Sequence, residues 1–478
     1  MENFQNQFYR VFKDQFAFQL TESQDYVAKI FSRFVLLNPD KSILDKKLFI
    51  LSGYAGTGKT TLVGNFVQTL KHFNRYCSLL APTGRAAKVF SGFAKQKAFT
   101  IHKKIYRKVK LENGNIQMAL APNLTKNTIF IVDEASMIAD FSATKSGAVS
   151  ERNLLEDLIE FVYSGLGCSL VFVGDEGQLP PVGSDFSPAL NKEYLQNHFP
   201  NLKIGEYKLT EVLRQAQESD ILKNATKIRS HSLGKNLKFK LAKKSDVQFI
   251  NGIEFQEFLE NSYGQNGIDD TIVITKSNKR ANAYNHEIRR RILYQEEEIS
   301  SNDIIMVVKN NYFWIPETSD AGFIANGEIL RIKKVSNKEE IHGFSFIKLQ
   351  VEMIDYPDMG TFPVMAILDT LTSESPALTR EDMKKLFFSV EEDYLDEKNK
   401  KTRYEKILAD PYFNALQIKF AYAVTCHKAQ GGQWDHVYLD HGYLTEDMLD
   451  ESFFRWLYTG FTRAREKLYL VNFDEQFC

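Results

Sequence analysis

The sequence contains 478 residues, more than one hydrophobic core usually organises, so we expect it to divide into several domains. Hydrophobic residues make up 43% and charged residues 25%, and no run of about 18 apolar residues could cross a membrane. The formal net charge of -1 offers no overall attraction to nucleic acid, so any such binding must come from a local basic patch.

The N-terminal residues lack the charged, apolar and small-residue segments of a secretion signal. Four cysteines are far apart and form neither a CxxC pair nor a Cys/His cluster: Cys77, Cys168, Cys426 and Cys478. We therefore expect no disulfide framework and no zinc site, and a reducing, cytoplasmic location.

Short apolar runs that end at polar residues indicate buried parallel strands. In the first half of the chain these runs are residues 48–51, 77–81, 129–132 and 170–173, and helical spacing follows at 61–70 and 154–162. A second set lies at residues 272–274, 418–424, 437–439 and 468–471. This alternation predicts an α/β fold with two parallel sheets, in which chemistry gathers at the carboxyl ends of strands.

Two segments interrupt the α/β pattern. In the first, Asn113 and Gly114 form a strong hairpin signal, because both positions of a type I′ turn need positive φ. The second, roughly residues 292–410, contains short β-like pieces and predicts an inserted small β domain. Its stretch at residues 390–406 is dense in both charges and is interpreted as an exposed excursion.

Residues 53–60 read GYAGTGKT, between an apolar strand and a helix, which is the context that a P-loop requires. Glycines let backbone amides close around phosphates, and the helix N-terminus favours negative charge. Lys59 is expected to reach the β- and γ-phosphates of ATP, and the Thr60 hydroxyl to bind Mg²⁺. The predicted nucleotide-binding residues here are Gly53, Ala55, Gly56, Thr57, Gly58, Lys59, Thr60 and Thr61.

Two further strand ends carry polar residues suited to hydrolysis. Asp133 follows four apolar residues, where a carboxylate would hold Mg²⁺, and Glu134 is placed to orient and deprotonate water. In the string VFVGDEGQLPPVG, Gln178 offers an amide to a γ-phosphate and its water. Arg214 lies among apolar neighbours, and a structural ion pair is the alternative interpretation when it is taken alone. Arg463 follows a glycine and a threonine, where an arginine can reach across a cleft to a nucleotide.

Residues 85–110 carry nine basic side chains and no aspartate or glutamate. A solvated helix face is the alternative, although such a face would normally mix both signs. Small residues and hydroxyls beside the positive charge suit phosphate contacts that position a strand without reading its sequence.

These strings, in this order, resemble superfamily 1B DNA helicases of the RecD-like and Dda-like type. The match runs from LTESQ at residues 20–24 to TRAR at residues 462–465. The resemblance implies two RecA-like domains of the P-loop NTPase class, with a small inserted hairpin (1B) and an inserted SH3-like β domain (2B). We expect domain 1A at residues 1–102 and 123–215, 1B at 103–122, 2A at 216–291 and 411–478, and 2B at 292–410.

The same resemblance implies residue roles. Gln24 would read the adenine edge, Gly431 would lie at the nucleotide, Gln178 would couple hydrolysis to movement, and Arg214 and Arg463 would act as arginine fingers. Where the family commonly has a glutamate, this chain has Gln433, which can still hydrogen-bond a ribose hydroxyl. The residues expected to line the single-strand channel are Pro82, Thr83, Arg85, Thr100, His102, Asn278, Thr425, His427 and Lys428.

The implied activity is ATP-dependent, 5′-to-3′ translocation on single-stranded DNA with unwinding at duplex junctions, by a monomer that needs ATP and Mg²⁺. The hairpin would act as the pin that parts the duplex, and the alternative is an edge hairpin that covers the sheet. Two other functions stay open: a superfamily 1 RNA helicase, and a nucleotide-gated nucleic-acid binding protein that does not unwind.

Overall fold

A computed structural model describes residues 2–35, 46–110, 116–140, 153–212, 219–231, 237–242, 244–316, 318–319, 321–473 and 477. In these ranges no helix is long and apolar enough to cross a membrane. Two parallel sheets, one small barrel and one hairpin organise them.

The first sheet has six parallel strands in the order β3-β2-β6-β7-β1-β8. Its strands are β1 (Lys46–Gly53), β2 (Cys77–Ala81), β3 (Ala98–Thr100), β6 (Ile129–Val132), β7 (Ser169–Gly174) and β8 (Leu202–Leu209). Leu48 and Ile50 of β1 pack on one face, whereas Phe49 and Leu51 pack on the other. This alternation follows from the two-residue period of a strand, and helices cover both faces.

The helices of this half are α1 (Glu2–Asp14), α2 (Glu22–Phe34), α3 (Lys59–His72), α4 (Gly84–Ala94), α5 (Ile101–Ile105), α6 (Leu154–Ser164) and α7 (Lys192–His198). Helices α1 to α4 share one core with the sheet face that contains Phe49, and α6 packs on the opposite face. Parallel strands buried on both faces are the doubly wound arrangement that the apolar runs predicted.

The predicted hairpin is present between α5 and β6. Its strands β4 (Tyr106–Lys110) and β5 (Ile116–Leu120) pair antiparallel from Tyr106 opposite Leu120 to Lys110 opposite Ile116. The predicted turn at Asn113 and Gly114 lies outside the described residues. At the base, the Ala121 amide donates to the Ile105 carbonyl at 2.7 Å, and the Tyr106 hydroxyl donates to Asp157 of α6 at 2.6 Å.

The second sheet has five parallel strands in the order β16-β10-β17-β18-β9. They are β9 (Val247–Ile250), β10 (Thr271–Thr275), β16 (Ala423–Thr425), β17 (Trp434–Asp440) and β18 (Ala464–Val471). The associated helices are α8 (Asp220–Arg229), α9 (Phe255–Asn266), α10 (Asn278–Glu287), α14 (Cys426–Ala429) and α15 (Glu451–Phe461). Together the two sheets give the predicted pair of RecA-like units.

The predicted small β domain is a closed barrel of five strands. They are β11 (Ile304–Val307), β12 (Ile329–Ile341), β13 (Phe344–Met353), β14 (Thr361–Ile367) and β15 (Leu416–Phe420). The single strand predicted at residues 418–424 is wrong, because β15 pairs with β11 in the barrel and β16 pairs with β10 in the second sheet. Residues 420–424, which span the junction of the two strands, are all apolar, so hydrophobicity does not mark the change of sheet.

The charged segment before β15 is folded onto the barrel. Helices α11 (Asp369–Thr372), α12 (Arg380–Glu392) and α13 (Lys400–Leu408) precede that strand. Leu386, Val390 and Ile407 are buried against barrel residues such as Phe346 and Met365. The exposed excursion predicted for residues 390–406 is therefore wrong in part: one apolar stripe is core, and the charges lie on the outer faces.

Candidate nucleotide and nucleic-acid sites

The P-loop connects β1 to α3 with the backbone that its glycines allow. Gly56 and Gly58 have φ values of 77° and 78°, and Gly58 is the N-cap of α3. Residues with a Cβ rarely adopt this region, so the two glycines fix the shape of the loop. Gln24 of α2 donates from Nε2 to the Thr57 carbonyl at 3.0 Å and joins a capping box with Thr21.

Lys59 begins α3, and its ammonium points back into the loop. It donates to the carbonyl of Gly53 and, at 2.9 Å, to that of Tyr54. Thr60 and Thr61 follow in the first helical turn and are half-buried. The lysine therefore lies inside the ring of loop amides, where it can exchange backbone carbonyls for phosphate oxygens.

Asp133 and Glu134 stand directly after β6. Glu134 has a φ of 52°, which is unusual for a residue with a side chain and turns the chain sharply at the strand end. The Glu134 amide donates to Asp133 Oδ1 at 2.9 Å. Burial, together with the charge of Glu134, raises the pKa of Asp133 to about 7, and the charge of Lys59 opposes this rise. The carboxylate pair and the P-loop lysine thus share one electrostatic environment.

Gln178 lies on the loop after β7 and is 5% exposed. Its Oε1 atom is buried without a hydrogen-bond partner in the described part of the chain. Buried amide oxygens are normally paired, so this atom is suited to a ligand or its water. The unpartnered amide oxygen, the P-loop lysine and the two carboxylates form a donor and acceptor set that fits ATP with a divalent cation.

Arg463, which precedes β18 of the second sheet, lies close to the carboxylate pair after β6. It is 2% exposed, and its Nη1 lies 3.9 Å from Glu134 Oε1. Its guanidinium also donates to the carbonyls of Thr459 and Gly432 at 3.1 and 3.2 Å. Arg214, the second predicted finger, lies outside the described residues.

Tyr458 of α15 is a link between the two sheets to which the sequence assigned no role. Its hydroxyl donates to Asp175 Oδ2 at 2.6 Å and accepts the Ala55 amide of the P-loop at 2.9 Å. The next residue, Thr459, accepts the Leu179 amide at 2.8 Å. Both tyrosine and aspartate lie in the strings that contain Arg463 and Gln178, but only their spatial contact identifies them.

A second contact across the cleft involves the P-loop residue Tyr54. The guanidinium of Arg229, at the end of α8, lies 3.5 Å from the centre of the Tyr54 ring, within the range of a cation–π interaction. Lys208 of β8 lies 4.8 Å from the same centre. The P-loop is therefore held from the second sheet by a hydroxyl and by a guanidinium.

The predicted channel residues of the first sheet follow the ends of β2 and β3. Thr83 and Thr100 are N-caps, whose hydroxyls accept the amides of Ala86 and Lys103. Pro82 is half-buried beside Thr83. Burial lowers the pKa of His102 to about 4, so this ring is neutral at physiological pH.

Arg85 differs from the expectation of an open basic side chain. Its guanidinium lies 4.3 Å from the Trp434 ring centre and donates to the Gln433 carbonyl at 3.3 Å, so it contacts the second sheet. Gly431, with a φ of 73°, is packed so closely that a Cβ there would lie 2.9 Å from Ala86 Cβ. The N-terminus of α4 and the segment after α14 thus form one tight junction.

The predicted channel residues of the second sheet lie at its carboxyl edge. Asn278 begins α10 after β10, and Thr425 ends β16. His427 and Lys428 belong to the short helix α14, and burial lowers the pKa of both side chains. The carboxyl edge of a parallel sheet is where open α/β folds bind ligands.

Two family models match separate parts of this chain. Residues 40–184 match a model described as an AAA domain, and residues 420–471 match the UvrD-like helicase C-terminal domain. The ATP-dependent DNA helicase dda of Enterobacteria phage T4 is 28% identical over 56% of this chain and 58% of its own length. By these matches the chain is similar to superfamily 1B helicases.

Two further matches cover most of this chain. The uncharacterized protein R530 of Acanthamoeba polyphaga mimivirus is 23% identical over 88% of this chain and 94% of its own length. A crystal structure of Pif1 helicase from Bacteroides, in complex with ADP-AlF3 and ssDNA, is 15% identical with a TM-score of 0.46. That alignment covers 96% of this chain and 94% of the Pif1 chain.

Proposed function

We propose that this chain is an ATP-dependent DNA helicase that moves 5′ to 3′ along single-stranded DNA and unwinds the duplex ahead of it. The observation that carries the proposal is the approach of Arg463 to Glu134 across the cleft between the two sheets, at 3.9 Å. A cation from one sheet beside the candidate base of the other makes catalysis depend on closure of the cleft.

In this proposal the P-loop binds the phosphates of ATP through its amides, and Lys59 neutralises their charge. Glu134 accepts the proton of the attacking water, while Gln178 and Arg463 orient the water and stabilise the charge that develops. Thr60 and Asp133 would hold Mg²⁺, which supplies further positive charge to the phosphate oxygens. Gln24 and Gly431 complete the proposed nucleotide site.

Hydrolysis drives movement if the cleft closes with ATP and opens after its hydrolysis. Arg463, Tyr458 and Arg229 all reach from the second sheet to the nucleotide-binding elements of the first. Contacts that depend on the γ-phosphate would therefore favour the closed arrangement, and their loss would release it. The direction of movement rests on the superfamily 1B resemblance.

The strand would lie along the carboxyl edges of the two sheets, held by the predicted channel residues. Thr83, Thr100, Asn278 and Thr425 all stand at helix starts or strand ends on these edges. Such positions offer hydroxyl, amide and backbone donors to phosphates. Arg85 would contribute to the strand channel through the packing of its guanidinium on Trp434.

The domain boundaries expected from the sequence stay part of the proposal, with the correction that β15 completes the barrel. We further propose that β4 and β5 form the pin that parts the duplex. The bonds of Tyr106 and Ala121 at the hairpin base support it, because they attach the hairpin to helices α6 and α5 of the first half. A monomeric state and a cytoplasmic location stay predictions.

Stimulation of ATP hydrolysis by polynucleotides tests the choice of substrate. Turnover should rise with single-stranded DNA far more than with RNA of the same sequence. Equal stimulation by RNA would favour the RNA helicase, whereas stimulated hydrolysis without strand displacement would favour a nucleotide-gated binding protein.

A further inference from the structure

Tyr54 is the second residue of the P-loop, and its backbone is tied to the lysine of that loop. The Tyr54 carbonyl accepts the Lys59 ammonium at 2.9 Å and the Thr57 hydroxyl at 2.7 Å. Gly53 precedes Tyr54, and Gly56 follows after one alanine, so the loop has few side chains of its own to restrain it. The position of Tyr54 therefore determines where the P-loop lysine lies.

The Tyr54 ring is held by two cations from outside the loop. The Arg229 guanidinium, at the end of α8 in the half of the chain that contains the second sheet, lies 3.5 Å from the ring centre. Lys208 of the first half lies 4.8 Å from the same centre and is paired with Glu176 at 2.7 Å. A guanidinium over a tyrosine ring is attracted by the ring electrons, and the attraction is stronger where water is excluded. Arg229 is the cation of this pair that reaches the ring across the cleft.

The ring is the contact that accounts for the position of Arg229. Its side chain is half-buried. Within the part of the chain that the structure describes, Arg229 has no carboxylate within 4.0 Å and no side-chain hydrogen bond. Arginine offers five N–H donors and is usually paired when it is removed from water. The Tyr54 ring therefore does for this guanidinium what a carboxylate does for most half-buried arginines.

The neighbouring loop residues are anchored as well. The Ala55 amide donates to the Tyr458 hydroxyl of the second half, and Gln24 of the first half donates to the Thr57 carbonyl. The two anchors from the second half thus act on consecutive residues, 54 and 55. The shape of the phosphate-binding loop therefore depends on the second half as well as on the first.

We propose that Arg229 is a positioning residue for ATP binding, which acts through Tyr54 to hold the P-loop in the shape that receives phosphate and does not touch the nucleotide itself. This inference rests on the proposed function and adds Arg229 and Tyr54 to the residues that determine nucleotide affinity. A loop already held in its binding shape loses less conformational freedom when the ligand binds, so the contact strengthens binding.

The two nucleotides of the reaction distinguish this role from a direct contact. ADP and ATP share the α- and β-phosphates that the P-loop receives, so a better-held loop strengthens binding of both by the same factor. A guanidinium that contacted the γ-phosphate would strengthen binding of ATP alone. It would also stabilise the charge that develops during hydrolysis, and its loss would lower turnover at saturating ATP.

Equilibrium binding of fluorescent ADP and of a fluorescent, non-hydrolysable ATP analogue to the full chain, with oligo-dT present, tests the role. Arg229→Gln removes the charge and keeps a polar side chain, so both dissociation constants should rise by the same factor, about tenfold. Turnover at saturating ATP and DNA should stay within about twofold of wild type. Arg229→Lys, which keeps a cation, should bind both nucleotides more tightly than Arg229→Gln. Arg75→Gln removes a cation from above the Phe4 ring and is the matched control, which should bind as wild type.

A double-mutant cycle with Tyr54→Leu tests whether the ring is the route. Tyr54→Leu should weaken nucleotide binding about as much as Arg229→Gln does. The double variant should bind little more weakly than either single variant, because residues in contact have non-additive effects. Tyr54→Phe keeps the ring and should bind more tightly than Tyr54→Leu.

The proposal is overturned if Arg229→Gln weakens binding of the ATP analogue but not of ADP, or lowers turnover at saturating ATP, since Arg229 would then contact the γ-phosphate. Unchanged nucleotide affinity in Arg229→Gln, or additive effects in the cycle, also overturns it. A lower unfolding midpoint with equal loss of binding in Arg229→Lys and Arg229→Gln would show a structural role instead. A wild-type chain that binds both nucleotides but displaces no strand would contradict the proposed function and leave the positioning role standing.

Discussion

The hydroxyl of Tyr458 donates to Asp175 at 2.6 Å, and it also accepts the Ala55 amide of the P-loop. The Tyr458 hydroxyl, from the half of the chain that contains the second sheet, therefore contacts both Asp175 and the P-loop of the first half. Under the proposed mechanism, separation of the sheets would break both contacts, so the tyrosine would couple closure to the P-loop.

Tyr458→Phe should keep the ring packing and lose both bonds. A buried group that loses its partner costs about 1–3 kcal/mol, so DNA-stimulated turnover should fall by about tenfold or more. Turnover at saturating ATP and DNA measures the effect, and Tyr443→Phe, at a largely exposed tyrosine, is the control. Wild-type turnover in Tyr458→Phe would remove the tyrosine from the coupling between sheets.

Lys59→Ala should abolish ATP turnover and leave the fold intact, because the ammonium that neutralises the phosphates is lost while α3 keeps a strong helix former. Hydrolysis and circular dichroism measure the two effects. Lys71→Ala, at an exposed lysine of the same helix, should hydrolyse ATP normally. Turnover by Lys59→Ala at the wild-type rate would refute the P-loop assignment.

Glu134→Gln should bind ATP and hydrolyse it on the order of 10² to 10⁴-fold more slowly, since the amide retains hydrogen bonding but cannot accept the proton of water. Single-turnover hydrolysis and nucleotide binding separate these effects. Glu160→Gln, on the exposed face of α6, is the matched change elsewhere. Weakened ATP binding together with normal turnover is the opposite outcome, and it would show that Glu134 is not the base.

Replacement of residues 108–118 by a short Gly-Ser link should remove duplex unwinding and spare DNA-stimulated ATP hydrolysis. The replacement leaves Tyr106 and its bond to Asp157 in place, so the base of the hairpin keeps its attachment. Strand displacement and hydrolysis are measured in the same preparation. Full unwinding would contradict the pin, and loss of hydrolysis as well would indicate a structural role.

The sequence predicts those parts of the molecule that depend on local patterns. The P-loop, the carboxylates after β6 and the hairpin are each encoded by a short stretch of sequence. The residues of each stretch are close together in space as well as in sequence. The boundary between β15 and β16 is not marked locally, because the run from Phe420 to Val424 stays apolar across it while the two strands join different sheets. The change of sheet is decided by the different strands to which β15 and β16 form their hydrogen bonds.

The contacts of Tyr458 with Asp175 and with Ala55 of the P-loop join residues that are distant in sequence. No periodicity predicts them, since each depends on how two separately folded units face each other. Arg85 illustrates the same limit: its charge suggested an open phosphate contact, but its guanidinium packs on Trp434. Residue type predicts the chemistry available, and packing decides its partner.

Strand displacement from duplexes with a single 5′ or 3′ tail, with and without ATP, tests the central claim most directly. The account predicts ATP-dependent release of the partner strand from the 5′-tailed duplex and little from the 3′-tailed duplex. Release that requires a 3′ tail would contradict the proposed direction. Absence of release from either duplex, in a preparation that hydrolyses ATP with DNA, would contradict the helicase itself.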